Sequence, residues 1–211
     1  FNSLMIRLAA EALALTPAKP SVVELGNQTF KPRGGIMREV EAYLAKTSSA
    51  FDAGSLQRMS DGKSAVLSAD YMKAIGYGSY ACIDVNDRYG ALQMDLNENL
   101  AQRYGYRDTF DVVTNNGTGE HVFDQASVFR NMHALAKPGG LFMHVLPFHN
   151  YTNHGFYCFQ PGLFYDLAQA NGYEINRLSG ATAIGDEITF ADKPVTQTTR
   201  PIRTYPLKAA M

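Results

Sequence analysis

The stretch that most constrains this chain runs from Phe110 to Phe148, FDVVTNNGTGEHVFDQASVFRNMHALAKPGGLFMHVLPF. A short apolar run, 110–114, breaks at Asn115-Asn116-Gly117, and an amphipathic run over 122–136 follows. That run stops at Lys137-Pro138-Gly139-Gly140, and a second apolar run occupies 140–146. Short apolar runs bounded by turn residues read as buried strands, and the run of helical spacing between them reads as their crossover. In open α/β sheets, ligands bind in the crevice outside the carboxyl ends of the strands. The polar cluster that follows Thr114 therefore falls where chemistry belongs.

The rest of the chain repeats the alternation. Residues 3–15 read as a helix stopped by Thr16-Pro17. Ser21 to Leu25 reads as a strand closed by Gly26, and Tyr80-Ala81-Cys82-Ile83-Asp84 as a second strand that ends in a carboxylate. Helices are expected near 36–46, 52–59 and 67–75, the third capped by Gly76, and at 99–104. Another spans 161–171, opened by Pro161 and closed by Asn171-Gly172. Residues 173–178 and 187–190 read as a final strand pair. Residues 27–62 read as an insertion placed where a lid would lie, and 192–211 as an extended tail with Pro194, Pro201 and Pro206. Either could make a homodimer contact. With 211 residues and strands alternating with helices, the expectation is a single α/β domain on a doubly wound sheet.

Composition excludes several partners. A formal net charge of −1 leaves no basic face for nucleic acid and no polybasic patch for a membrane surface. No apolar run approaches the ~20 residues of a membrane span, and Phe1-Asn2-Ser3 does not open a signal-peptide pattern. Cys82 and Cys158 make neither a disulfide framework nor a CxxC pair, so the reducing cytoplasm is the expected compartment.

Two groups of residues carry the chemistry. At the first, Glu24-Leu25-Gly26 ends one strand and Asp84 another. A strand-end glycine admits close approach to the backbone, and a neighbouring acid is placed to take both hydroxyls of a ribose. Gly26 is followed by Asn27-Gln28-Thr29-Phe30 without further glycines, and 58 residues separate it from Asp84, against about 20 in dinucleotide sites. A pyrophosphate ligand is thereby disfavoured, and with it a nicotinamide-dependent oxidoreductase. The second group is the histidines: all five, His121, His133, His144, His149 and His154, fall in one 34-residue window. His121 follows strand 110–114 and His154 follows strand 140–146, so their loops should meet at one sheet edge. An ordinary imidazole titrates near ~6.5 and suits proton abstraction. His154 is the first candidate base and His121 the second; His144 in a strand and His133 on a helix read as structural. Glu120 reads as an acid at the start of the following helix. A metal site is the alternative reading of the histidines, since imidazole suits several divalent ions, but no His-x-x-x-His pair is present on a helix, and no metal ligand is assigned.

Over roughly residues 20–180 these segments together resemble the class I S-adenosylmethionine-dependent methyltransferases. VVELG (22–26) is similar to the family's first motif, YACIDVN (80–86) to its acid-ended second strand, and DLNE (95–98) to its adenine-side loop. FDVVTNNGTGEHV (110–122) and KPGGLFMHVLP (137–147) resemble its fourth and fifth strands, and the chain looks most like a bacterial branch with a TNxGTxEHV loop and an NHGFY segment. The resemblance implies a mostly parallel, seven-stranded Rossmann-like sheet with one antiparallel strand near the edge. It implies S-adenosylmethionine as cofactor, with Glu24, Gly26 and Asn27 on its methionine and ribose side and Asp84 and Val85 on the ribose. Asp95 and Leu96 would line the adenine, and Asn115, Asn116 and Gly117 the methionine and sulfonium. The first motif departs from the family by lacking its glycine-rich continuation. The implied reaction is methyl transfer to an oxygen or nitrogen of a small molecule or sugar, with a hydroxyl acceptor favoured by a histidine base. The alternative is a catalytically inactive module that keeps the cofactor.

Overall fold

The alternation of apolar strands and amphipathic helices becomes a five-stranded parallel sheet in the computed structural model, which describes residues 2–32, 34–47, 50–60, 64–149, 151–181 and 187–189. The first half of the chain supplies α1 (Asn2–Ala12), β1 (Ser21–Leu25), β2 (Thr29–Phe30), α2 (Gly34–Thr47), α3 (Ala53–Met59), β3 (Val66–Leu67), α4 (Ser68–Ile75), β4 (Ser79–Asp84), β5 (Leu92–Gln93) and α5 (Leu100–Tyr104). The second supplies β6 (Phe110–Asn116), α6 (Gln125–Leu135), β7 (Ala136–Val145), α7 (Pro161–Asn171), β8 (Ser179–Ala181) and β9 (Glu187–Thr189). The sheet order is β5-β4-β1-β6-β7, with every neighbouring pair parallel. From the central β1 the chain builds outward through β4 and β5, then returns to the other side of β1 for β6 and β7. That reversal opens a crevice at the carboxyl ends of β1 and β6.

Both faces of the sheet are covered, as a parallel sheet requires. Val22, Val112 and Met143 face a core built with Ile6 of α1, Val40 and Leu44 of α2, Leu56 of α3 and Ile75 of α4. Val23, Leu25, Ile83 and Val113 face the other way, onto Leu100 of α5 and Val128, Met132 and Leu135 of α6. Adjacent residues of one strand thus serve opposite cores, which is the doubly wound α/β arrangement. Helices α2 and α3 pack on the first of these cores, and β2 pairs antiparallel with β3. Among the described residues no helix is long and apolar enough to cross a membrane.

Several boundaries differ from the sequence expectation for local reasons. Helix α6 begins at Gln125 and not at 122, because the Asp124 side chain accepts from Ser127 N and caps it there. Strand β7 begins at Ala136, before the Lys-Pro-Gly-Gly turn, and the register passes from Phe110↔Ala136 to Val112↔Leu141. The turn is therefore a bulge within the strand, pinned by Lys137 Nζ at 3.0 Å from Asp111. Asp111 also accepts from Ser21 N and Oγ, which holds its carboxyl down at about 2 and ties β1, β6 and β7 together at their amino ends. The expected strand 173–178 does not form. Tyr173 N instead donates to Ala168 O at the end of α7, and the Tyr173 hydroxyl meets His133 Nδ1. The antiparallel pair forms later, as β8 with β9, and stands apart from the main sheet, so the described sheet has five strands where seven were expected. Phe190 and the tail from 192 lie outside the described residues.

One buried acid sits inside this framework. Glu24 of β1 is completely buried and faces the first core, where Tyr80 Oη donates to Oε2 at 2.6 Å and Ser68 Oγ to Oε1 at 3.1 Å. Burial pushes its carboxyl up to about 7, against the pull of Tyr80, Ser68 and, from a poorer geometry, Asn116. The folded protein therefore holds this proton more tightly than the unfolded chain. Stability is greatest below the unfolded value of 4.5 and falls as pH rises through about 7, by roughly 3 kcal/mol in all from this group. Urea unfolding from pH 5 to pH 8 should show that decline in the wild type and a much flatter profile in Glu24→Gln. An unchanged slope in the variant would assign the effect to other groups.

Candidate functional site

The crevice at the carboxyl ends of β1, β4 and β6 is assembled from short polar loops. Gly26 leaves β1 in the left-handed region (φ 82°) and its N donates to Ile83 O at 2.7 Å. A Cβ at this position would lie 2.2 Å from Thr118 Oγ1, whose hydroxyl donates to Leu25 O at 2.7 Å. The close approach that requires a glycine is thus made by the loop after β6. Gln28 crosses the same gap, its Nε2 donating to Asn116 O at 3.0 Å.

Asp84 joins the ends of β1 and β4. Its Oδ2 accepts from Asn27 N at 3.0 Å, and its Oδ1 from Asn86 N at 3.1 Å and Asn86 Nδ2 at 2.6 Å. An ionised carboxylate offers about four acceptor sites, so these three bonds leave room for one more donor. The Asn27 side chain continues the network to Asn86 Oδ1 and Arg88 O. Val85 next to it is 65% exposed and forms an apolar rim. Farther along, Asp95 Oδ1 accepts from both Asn97 N and Nδ2. Leu96 turns away from the rim: its side chain is buried in the second core and its carbonyl accepts from Asn131 Nδ2.

The end of β6 is polar and buried at once. Asn115 Oδ1 accepts from Gly119 N at 2.8 Å, and Gly117, at φ 69°, donates its N to Val145 O. By contrast Thr114 Oγ1, Asn115 Nδ2 and both side-chain polar atoms of Asn116 are buried without a hydrogen bond of good geometry. Each such group costs about 1–3 kcal/mol, and these lie toward the edge where open α/β sheets bind ligands.

Immediately beyond lies a second constellation, on the short 3-10 turn Gly119–His121 and the loop after β7. Glu120 is fully buried, and neither of its carboxylate oxygens has a hydrogen-bond partner. His154 Nε2 lies 3.3 Å from Glu120 Oε1, and His121 Nε2 lies 3.9 Å from the same oxygen. The two imidazoles meet edge to face at 5.0 Å and are roughly half exposed. Backbone bonds fix this meeting. Glu120 O accepts from Phe156 N at 2.7 Å and from Tyr157 N at 3.3 Å. Gly155 lets the loops close, since a Cβ there would come within 2.8 Å of Glu120 O. Around the histidines stand Phe123 and Phe156, 73% and 67% exposed, and Tyr151, 5.3 Å from the His154 ring.

Of the sequence-derived candidates, the fold therefore brings His121 and His154 together and places Gly26, Asn27, Asp84, Asn115, Asn116 and Gly117 around one crevice. The other histidines lie elsewhere. His144 packs among Phe129, Phe142 and Phe164, where burial brings its imidazole down to about 4 and keeps it neutral. His149 stands exposed beside Phe148. Glu120 is the residue the sequence undervalued: Asp124 does the helix capping, and Glu120 lies beneath the two histidines. Its signal was the Glu-His pair at a strand end, but the third partner comes from a different loop.

Among curated proteins none matches this sequence. The family model described as a methyltransferase domain matches residues 3–177, a range that includes β1 to β7 and both loops of the histidine cluster. With that match over most of its length, a parallel sheet reversed at β1 and an acid at the end of β4, the chain belongs to the class I S-adenosylmethionine-dependent methyltransferase family.

Proposed function

We propose that this protein transfers a methyl group from S-adenosylmethionine to a hydroxyl oxygen of a small molecule or sugar, with His154 as the general base. The observation that carries the reading is the juxtaposition of the Glu120–His121–His154 cluster with the unpartnered polar end of β6. The residues present fit the cofactor. The Asn115 and Asn116 side-chain atoms left without partners supply donors and an acceptor for its methionine ammonium and carboxylate. Asp84 retains acceptor capacity for a ribose hydroxyl, and exposed Val85 offers an apolar edge beside it. Gly26 and Asn27 form the near wall, and Glu24, tied to Tyr80 and Ser68, supports β1 from behind. Asp95 borders the adenine side. Gln28, already spanning to Asn116, is the element of the 27–62 segment proposed to cover the crevice.

When bound, the cofactor supplies an electrophilic methyl carbon. The chain's own residues orient the acceptor and remove its proton. Positioning contributes much of the rate in such reactions, and a general base typically adds about 10²–10⁴-fold. With the side chains of the cluster acting alone, His154 takes the hydroxyl proton, with His121 beside it and Glu120 beneath. The exposed rings of Phe123, Phe156 and Tyr151 suit an acceptor with an apolar face, and the net charge of −1 argues against a polyanionic one. The rival reading, a module that binds the cofactor without turnover, draws on Asp84, whose carboxylate is already held by three protein N–H groups.

Two substitutions divide these readings. Asp84→Ala should weaken S-adenosylmethionine binding by about 2 kcal/mol in calorimetry, roughly 30-fold in Kd; wild-type affinity would remove Asp84 from the site. His154→Ala should lower kcat by ~10²-fold or more with cofactor affinity nearly unchanged. Full turnover in that variant would place the base elsewhere, and a wild-type chain that binds cofactor yet methylates no hydroxylated acceptor would favour the inactive module.

A further inference from the structure

We infer that Glu120, His121 and His154 form a divalent-cation site at the acceptor side of the crevice. The three residues bring one ligand atom each to within 4.8 Å of one another. Bonds of about 2.0–2.1 Å at tetrahedral angles place donor atoms about 3.4 Å apart. The 3.3 Å between His154 Nε2 and Glu120 Oε1 already has that spacing, and the 3.9 Å to His121 Nε2 closes with a small movement of a ring that is 48% exposed.

Glu120 is the second, independent reason. Its carboxylate is fully buried and neither oxygen makes a hydrogen bond of good geometry, although Oε1 lies 3.3 Å and 3.9 Å from two imidazole nitrogens. A buried carboxylate without well-aligned donors is costly, and a cation held between it and the two rings would satisfy it directly. The backbone keeps the ligands in place whether or not an ion is bound, through the 3-10 turn that carries Glu120 and the bonds from Phe156 N and Tyr157 N to its carbonyl. Two imidazoles with one carboxylate suit Zn²⁺ and its neighbours Co²⁺, Ni²⁺, Mn²⁺ and Fe²⁺ better than Ca²⁺ or Mg²⁺. Three protein ligands also leave coordination positions open, as catalytic sites do. The rings that would hold the cation are about half exposed, and Tyr151 lies 5.3 Å from the His154 ring.

The binding itself is independent of the methyl-transfer reading; its role rests on that reading. A cation bound through His154 Nε2 makes this histidine a ligand and replaces it as the agent that activates the acceptor. The acceptor hydroxyl, held on an open position, is polarised and loses its proton to solvent water. The oxygen's electron pair then forms the bond to the methyl carbon, and the pair of the broken carbon–sulfur bond returns to sulfur.

The test is titration of the chelator-treated full chain with Co²⁺, read by visible absorption, with Zn²⁺ as competitor. The wild type should bind a single Co²⁺ per chain, with bands that Zn²⁺ abolishes. Glu120→Gln, His154→Ala and His121→Ala should each lower the affinity roughly 100-fold or more. Circular dichroism checks folding, and His121→Ala, at the more exposed ring, serves if the buried substitution does not fold. Absence of Co²⁺ bands in the wild type, or wild-type affinity in a folded variant, would overturn the site. A parallel calorimetric titration with S-adenosylmethionine keeps the two proposals separate. Cofactor binding without Co²⁺ binding sinks only the cation site, and Co²⁺ binding without cofactor binding sinks only the methyl donor.

Discussion

Everything at the functional edge depends on β1 being hydrogen-bonded in parallel on both sides, to β4 and to β6. A strand in that position has no free edge and must bury both faces, which is why Val22 and Leu25 serve opposite cores. It also has a fixed consequence for the loops. The carboxyl ends of β4, β1 and β6 lie side by side, so Asp84, Gly26 and Asn116 become neighbours although they are far apart in sequence. The bonds from Gly26 N to Ile83 O and from Thr118 Oγ1 to Leu25 O continue the pairing beyond the strands and draw the loops into one surface.

The amino and carboxyl ends of the sheet spend their polar groups differently. At the amino ends, Asp111 is fully engaged by Ser21 and Lys137, a closed arrangement that locks three strands. At the carboxyl ends, Thr114, Asn116 and Glu120 are buried with side-chain atoms left over. Unsatisfied buried groups are destabilising, and here several of them gather along the edge where open α/β sheets bind ligands. The difference between the two ends is what supports placing the proposed site at the carboxyl edge.

Much of the fold was legible because its signals are local. Helix α7 runs from Pro161 to Asn171 as its first-turn proline and terminal Asn-Gly indicate, and Gly76 in the left-handed conformation ends α4. Signals that depend on a distant partner were misread. The Lys-Pro-Gly-Gly turn became a bulge inside β7 because Phe110 pairs with Ala136 ahead of it. Residues 173–178 stayed out of the sheet because Tyr173 closes the end of α7 and meets His133. The close approach that Gly26 permits is made by Thr118, a partner from another loop that the residues next to Gly26 do not reveal.

By itself, the sequence determined the alternation of strand and helix, the polar residues that end β1, β4 and β6, and the crowding of all five histidines between His121 and His154. Those follow from periodicity, turn chemistry and chain order, all properties of neighbouring residues. Only the tertiary structure decided which of the histidines meet, that Glu120 lies buried beneath them, and that Leu96 faces inward while Val85 faces out. Such facts arise when strands distant in sequence are laid side by side, because burial and contact are set by the packed sheet and not by the residues next in line.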